Sequence, residues 1–146
     1  MRTWIKVILS NKESIARACS TLDRHLDSAA KAAFSQTGQQ AYDTIVKLLD
    51  RKHDLQCLLL LRESMLNKLD ERQFVAVSYI EGNVDKTTAC SQLKLSGKAF
   101  VKFVDNLYHM LCMHCVELGY NTEYLKKHYC PIGFLFNKYK NINRAA

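Results

Sequence analysis

One proline, Pro131, and five glycines are spread over 146 residues, so the chain has few places where a helix must stop. Proline removes an amide donor and crowds the preceding turn, and glycine is costly in a helix interior. Their scarcity permits long helices, and the apolar residues recur at the spacing that helices need. Hydrophobic residues make up 48% of the chain and charged residues 24%, ordinary proportions for a globular chain long enough to bury a core. An all-α protein is expected, with an N-terminal helical hairpin over 1–68, a helix-turn-helix over 69–107 and a C-terminal helical extension with a basic tail over 108–146.

The opening MRTWIKVIL is apolar but broken by Lys6 and lacks a small-residue cleavage pattern, so it does not read as a signal peptide. Trp4, Val7 and Ile8 are expected to pack onto a later helix, with a short strand as the alternative. Ser10 with Glu13 matches a capping box and predicts a helix start there. Ile15, Ala18, Cys19, Leu22, Leu26, Ala29 and Ala33 form one stripe to about Phe34. Ser35 to Gln40, with Gly38, reads as a polar break. A second helix is expected from about Ala41 to Asn67, with Tyr42, Ile45, Leu48, Leu49, Leu55, Leu59 and Leu66 on a broad apolar face that Leu58 to Leu61 widens. These two stripes suit a hairpin core and equally suit a homodimer through the long helices.

From Leu69 to Leu107 the pattern shortens. Glu71 to Ile80 is a helical window that Gly82 and Asn83 would end, and Lys86 to about Leu93 is a second, with Ala89, Cys90 and Leu93 on one face. Leu95 and Ser96 form a hinge, Ser96 being a residue type that caps helix N-termini. Beyond it Phe100, Phe103, Val104 and Leu107 share one face, so Gly97, Lys98, Val101, Lys102 and Asp105 point the other way. In a helix-turn-helix the second helix enters the DNA major groove by its N-terminal end. Lys98 and Lys102 there suit phosphates or a guanine edge, Val101 a thymine methyl, and Ser96 a phosphate. A plain packing unit of three helices is the alternative reading of the same pattern.

The order Leu69-x-x-Arg72, Tyr79-Ile80-Glu81-Gly82, a short helix ending in Leu93, then Leu95-Ser96 and a helix with Phe100 and Phe103 inward resembles the C-terminal promoter-binding region of bacterial sigma factors, region 4. It is similar also to the ArpU-like group of small phage regulators of late transcription. The resemblance covers about forty residues. It implies a DNA-binding transcription regulator of bacterial or phage character, with Ser96, Gly97, Lys98, Val101 and Lys102 as recognition positions and RNA polymerase as a second partner. Lys94 stands where that family commonly has glycine in the turn.

Past Leu107, the segment YHMLCMHCVELGY has almost no polar face, which predicts burial on several sides, a protein partner included. Gly119 and Asn121 should end that helix, a short one follows near Thr122 to His128, and Pro131 with Gly133 turns the chain toward Phe134, Phe136 and Tyr139. Six cysteines without a secretory signal point to reduced thiols. Cys112, Cys115, His128 and Cys130 are ligand types that zinc accepts, with His109 and His114 in reserve. Zinc is the less favoured reading, because Cys112 and Cys115 fall within a helix and not on a tight turn. No cofactor is therefore assigned.

No phosphate-binding glycine loop or activated nucleophile is present, and Asp23, Asp27, Asp50, Asp54, Asp70 and Glu71 are spread along polar faces, so an enzyme is not expected. A pairing of Cys112 with His109 reads as an accident of a cysteine-rich helix. The formal charge of +7 favours an anionic partner such as duplex DNA, and no run reaches the roughly eighteen apolar residues of a membrane span. A cytoplasmic DNA-binding transcription regulator is expected, a helical adaptor without DNA binding being the alternative.

Overall fold

The computed structural model describes residues 1–33 and 38–145, and within them every regular element is an α-helix. These are α1 (Arg2–Ser10), α2 (Lys12–Ala32), α3 (Gly38–Leu66), α4 (Glu71–Ile80), α5 (Lys86–Leu93), α6 (Gly97–Glu117), α7 (Thr122–Tyr129) and α8 (Gly133–Ala145). The chain forms two compact units, one of Met1–Ser10 with Leu61–Ala146 and one of Asn11–Leu60. They do not follow the divisions 1–68, 69–107 and 108–146. The first segment joins the C-terminal half, and α6 runs through Leu107 without a break.

The reason lies in α1. Trp4, Ile5, Val7 and Ile8 have no exposed surface and Leu9 has 1%, so more than half of a nine-residue helix is core. Such a helix must be enclosed, and α4, α6 and α8 enclose it. Trp4 stacks on Tyr139 with ring centroids 4.7 Å apart and meets Tyr129 at 6.4 Å. Thr3 donates to the Asn143 side chain at 2.7 Å, which closes α1 onto α8. The N-terminal run is thus a helix and not a strand, and the expected tail is α8.

Ser10 does not open a helix. It is the last residue of α1, its hydroxyl donates to the Ile80 carbonyl at 3.4 Å, and Asn11 precedes α2 without a side-chain capping bond. A capping box occurs instead at Asp70 and Gln73, where the carboxylate accepts from the Gln73 amide at 2.8 Å and the Gln73 side chain accepts from the Asp70 amide at 3.0 Å.

In the unit Asn11–Leu60, α2 and α3 face each other through an ion pair of Asp23 with Lys52. Ile15 and Leu22 are buried, while Ala18, Cys19, Leu26, Ala29 and Ala33 are only half-buried, as two helices leave much of each other open. Residues Phe34 to Thr37 lie outside the described residues, and Gly38 to Gln40, expected in the break, are the first turn of α3. The widened face at Leu58 to Leu61 is not uniformly inward, since Leu58 and Leu61 are buried but Leu60 is 69% exposed.

In the other unit, α4, α5 and α6 pack on one another. Each has a side-chain N-cap: Asp70, Asp85 accepting from the Thr88 amide at 2.6 Å, and Ser96 accepting from the Ala99 amide at 3.2 Å. Phe100 is buried and meets Tyr79 edge-on at 5.0 Å. Arg62, 9% exposed, joins this group to α1. Its guanidinium donates to Glu81 Oε1 at 2.7 Å and to the Leu9 carbonyl at 3.3 Å. An ion pair so little exposed is costly to break from one side, because the remaining charge stays without a partner. Arg62→Met should lower the free energy of unfolding in urea by about 3 kcal/mol. The double variant with Glu81→Gln should lose less than the sum of the two single losses.

Candidate nucleic-acid interface

The first two turns of α6 carry the expected recognition residues. Ser96, Gly97, Lys98 and Lys102 are exposed and Val101 is 47% exposed, whereas Phe100, Val104 and Leu107 are buried and Phe103 is half-buried. The division of faces is that of an amphipathic helix seated by its apolar stripe. Ser96 spends one oxygen lone pair on the Ala99 amide and keeps its hydroxyl proton to donate.

Charge at this end is set by contacts far apart in sequence. Asp105, the one acid among the five outward positions, is held by the Arg2 guanidinium at 2.6 Å, and the same guanidinium lies 4.2 Å over the Tyr108 ring. Among the described residues neither Lys98 nor Lys102 forms an ion pair. An open groove of about 470 Å³ lies at the turn from α5 into α6, lined by Lys86, Thr87, Cys90, Ser91, Lys94, Leu95 and Gly97. The Lys86 Nζ lies 3.9 Å from where a Cβ on Gly97 would be, so this cation sits at the start of α6. Lys86 and Lys94 also lack ion pairs among the described residues. Neither is among the recognition positions expected from the sequence, although Lys86 opens α5 and Lys94 caps its end.

The turn between α5 and α6 is a Schellman end. The Leu95 amide donates to the Cys90 carbonyl at 3.0 Å, the Lys94 amide donates to Ser91 at 3.3 Å, and Lys94 itself has φ 55°. Lys94 thus holds a left-handed conformation where glycine would be unstrained. The end of α4 has the same form with glycine, Gly82 at φ 81° and the Asn83 amide bonded to Ser78 at 2.9 Å. Arg72 supports the turn from behind, donating to the Leu93 carbonyl at 3.1 Å.

The zinc candidates are not brought together. No group of three or more His, Cys, Asp or Glu able to hold a metal ion exists among the described residues. Cys115 is fully buried, its thiol donates to the Met65 sulfur at 3.5 Å, and burial pushes its pKa up to about 12, which disfavours the thiolate that zinc requires. Burial also raises Cys112, and His128 stacks on Tyr124 at 4.1 Å. His114 is buried with its Nε2 2.7 Å from the Ser64 hydroxyl. The expected burial of the segment past Leu107 is one-sided: Tyr108, Leu111, His114 and Cys115 are covered, but Met113, Val116 and Leu118 are about half exposed. No described helix is long and apolar enough to cross a membrane.

No family model, no curated protein and no solved structure matches this chain.

Lys94→Gly should relieve the left-handed strain and raise the unfolding free energy by about 1 kcal/mol, read from urea midpoints. His114 gives a pH signature. Burial, with Lys68 adding, lowers its pKa below the ordinary imidazole value, and Glu117 opposes only in part. The folded state thus binds this proton less readily than the unfolded chain. Stability from the neutral ring is fully present above the unfolded value near 6.5 and declines as pH falls from there through the lower folded value. Thermal melts of His114→Gln should show a shallower loss of stability in that acid range than the wild type.

Proposed function

We propose that the protein binds duplex DNA as a transcription regulator of the sigma region 4-like type, with α6 presented to the major groove by its N-terminal end. One observation carries the reading: Lys98 and Lys102 stand exposed on the first two turns of a Ser96-capped helix without an ion pair among the described residues, Lys86 and Lys94 line the groove that reaches Gly97, and Asp105 is paired with Arg2. A cluster of unpaired cations suits a polyanion. Lys86 and Lys94 serve phosphates beside the groove, while Lys98, Val101 and Lys102 reach phosphates or base edges and Gly97 allows close approach. RNA polymerase is the second partner that the likeness to sigma factors suggests.

A helical adaptor is the second reading, favoured by the half-exposed Met113, Val116 and Leu118 further along α6. Fluorescence anisotropy on duplex DNA across a salt series separates the two. The wild type should bind with a steep salt dependence. A Lys98→Glu, Lys102→Glu variant with native circular dichroism should bind more weakly, its logarithmic slope shallower by about two units, near 0.9 per lost phosphate contact. Equal and weak binding by both proteins would leave general positive charge as the only attraction and turn the assignment to the adaptor.

A further inference from the structure

The ends of α4, α5 and α6 share one hydrogen-bonded form and differ in the residue that closes it. In each an amide donates to the carbonyl five residues earlier: Asn83 to Ser78 at 2.9 Å, Leu95 to Cys90 at 3.0 Å and Tyr120 to Cys115 at 2.9 Å. The residue before each donor is left-handed, Gly82 at φ 81°, Lys94 at φ 55° and Gly119 at φ 89°. A Cβ on Gly82 or Gly119 would meet nothing within 4 Å, so a side chain has room at both and only the backbone conformation favours glycine. Lys94 is the one non-glycine residue in that conformation among the described residues. Residues held in such strain are concentrated at ligand-binding and active sites.

The surroundings of the three positions differ in the same sense. Lys94 lines the groove at the turn from α5 into α6, together with Lys86, Thr87 and Ser91, whereas Gly82 and Gly119 do not. The last turn of α5 forms part of this groove, and the carbonyls at a helix C-terminus carry a partial negative charge that repels an anion. A cation at position 94 reverses the sign there. Lys86 brings a second cation to the start of α6, and the hydroxyls of Thr87 and Ser91 can donate to phosphate oxygens. Glycine at 94 would relax the backbone but leave the negative end of α5 facing the groove.

We propose that Lys94 is the phosphate-binding residue of this groove, its left-handed strain being retained because the ammonium, with that of Lys86, holds one backbone phosphate of the duplex. The inference rests on the DNA-binding reading and adds to it a contact that α6 does not make.

Fluorescence anisotropy of the full chain on two duplexes of unrelated sequence, across a salt series and beside urea unfolding, tests it. Lys94→Gly should unfold at a higher urea midpoint and yet bind both duplexes about tenfold more weakly, its logarithmic salt slope shallower by about one unit. Lys94→Asn tolerates the left-handed conformation without a charge and should bind as weakly as Lys94→Gly, whereas Lys94→Arg should bind like the wild type. A Lys94→Gly or Lys94→Asn protein with wild-type affinity and slope would overturn the proposal and leave the assignment of α6 standing. A shallower slope for Lys94→Gly with none for Lys98→Glu, Lys102→Glu would support the groove and overturn the assignment of α6 instead. A wild type without salt-dependent binding would remove both.

Discussion

Burial of one face and more of α1 is the constraint on which the larger unit depends. Five of its nine residues are covered, and the cover comes from α4, α6 and α8, segments at least sixty residues away in sequence. Hydrophobic burial has no direction of its own, so it brings these elements together without fixing how they are turned. Direction comes from a few polar contacts at the ends of α1: Arg2 on Asp105, Thr3 on Asn143, and Arg62 on the Leu9 carbonyl. The Trp4 indole N–H is the exception, buried without an acceptor among the described residues. Such a group costs about 1–3 kcal/mol, and the aromatic packing around Trp4 offsets it.

The same contacts decide the charge of the candidate interface. Arg2 both anchors α1 and cancels Asp105, so a core-building helix sets the field at the start of α6. Glu81 is likewise consumed internally by Arg62 and Asn83. The lysines of α5 and α6 have no such internal partner among the described residues. Glu81 and Asp105 are thus paired within the scaffold, while Lys86, Lys94, Lys98 and Lys102 stay exposed to water.

Local order was readable where local chemistry decides it. Helices α4 and α5 lie within the limits set by Gly82 and Leu93, and Ser96 caps α6, because caps and glycine ends act over three or four residues. The face division of α6 followed from its period alone. Ser10 misled because a hydroxyl followed by Glu13 is as compatible with the last turn of α1, once distant helices enclose that segment. Lys94 was legible as a departure from glycine but not as a residue in left-handed strain, since its turn is held by Leu95, Cys90 and Arg72 together. Lys86 and the Arg2–Asp105 pair were invisible, as each depends on contacts between separate elements. The cysteines of α6 looked like ligands by spacing, yet helix geometry sends Cys115 into the core and leaves Cys112 half-buried.

The length of α6 gives the two functional readings different ground. It is one continuous helix of 21 residues, about 30 Å long, seated along a single inward face. Lys98 and Lys102 stand in its first two turns, whereas Met113 and Val116 stand in its last two, some 16 Å beyond Lys102 at the ordinary helical rise. A duplex engaged by the first turns would leave the apolar end uncovered. On the proposed reading that end stays free for a protein contact, held in fixed orientation to the DNA by one rigid element. Protein contact at one end is therefore compatible with DNA contact at the other, and loss of DNA binding is what would leave the adaptor reading alone.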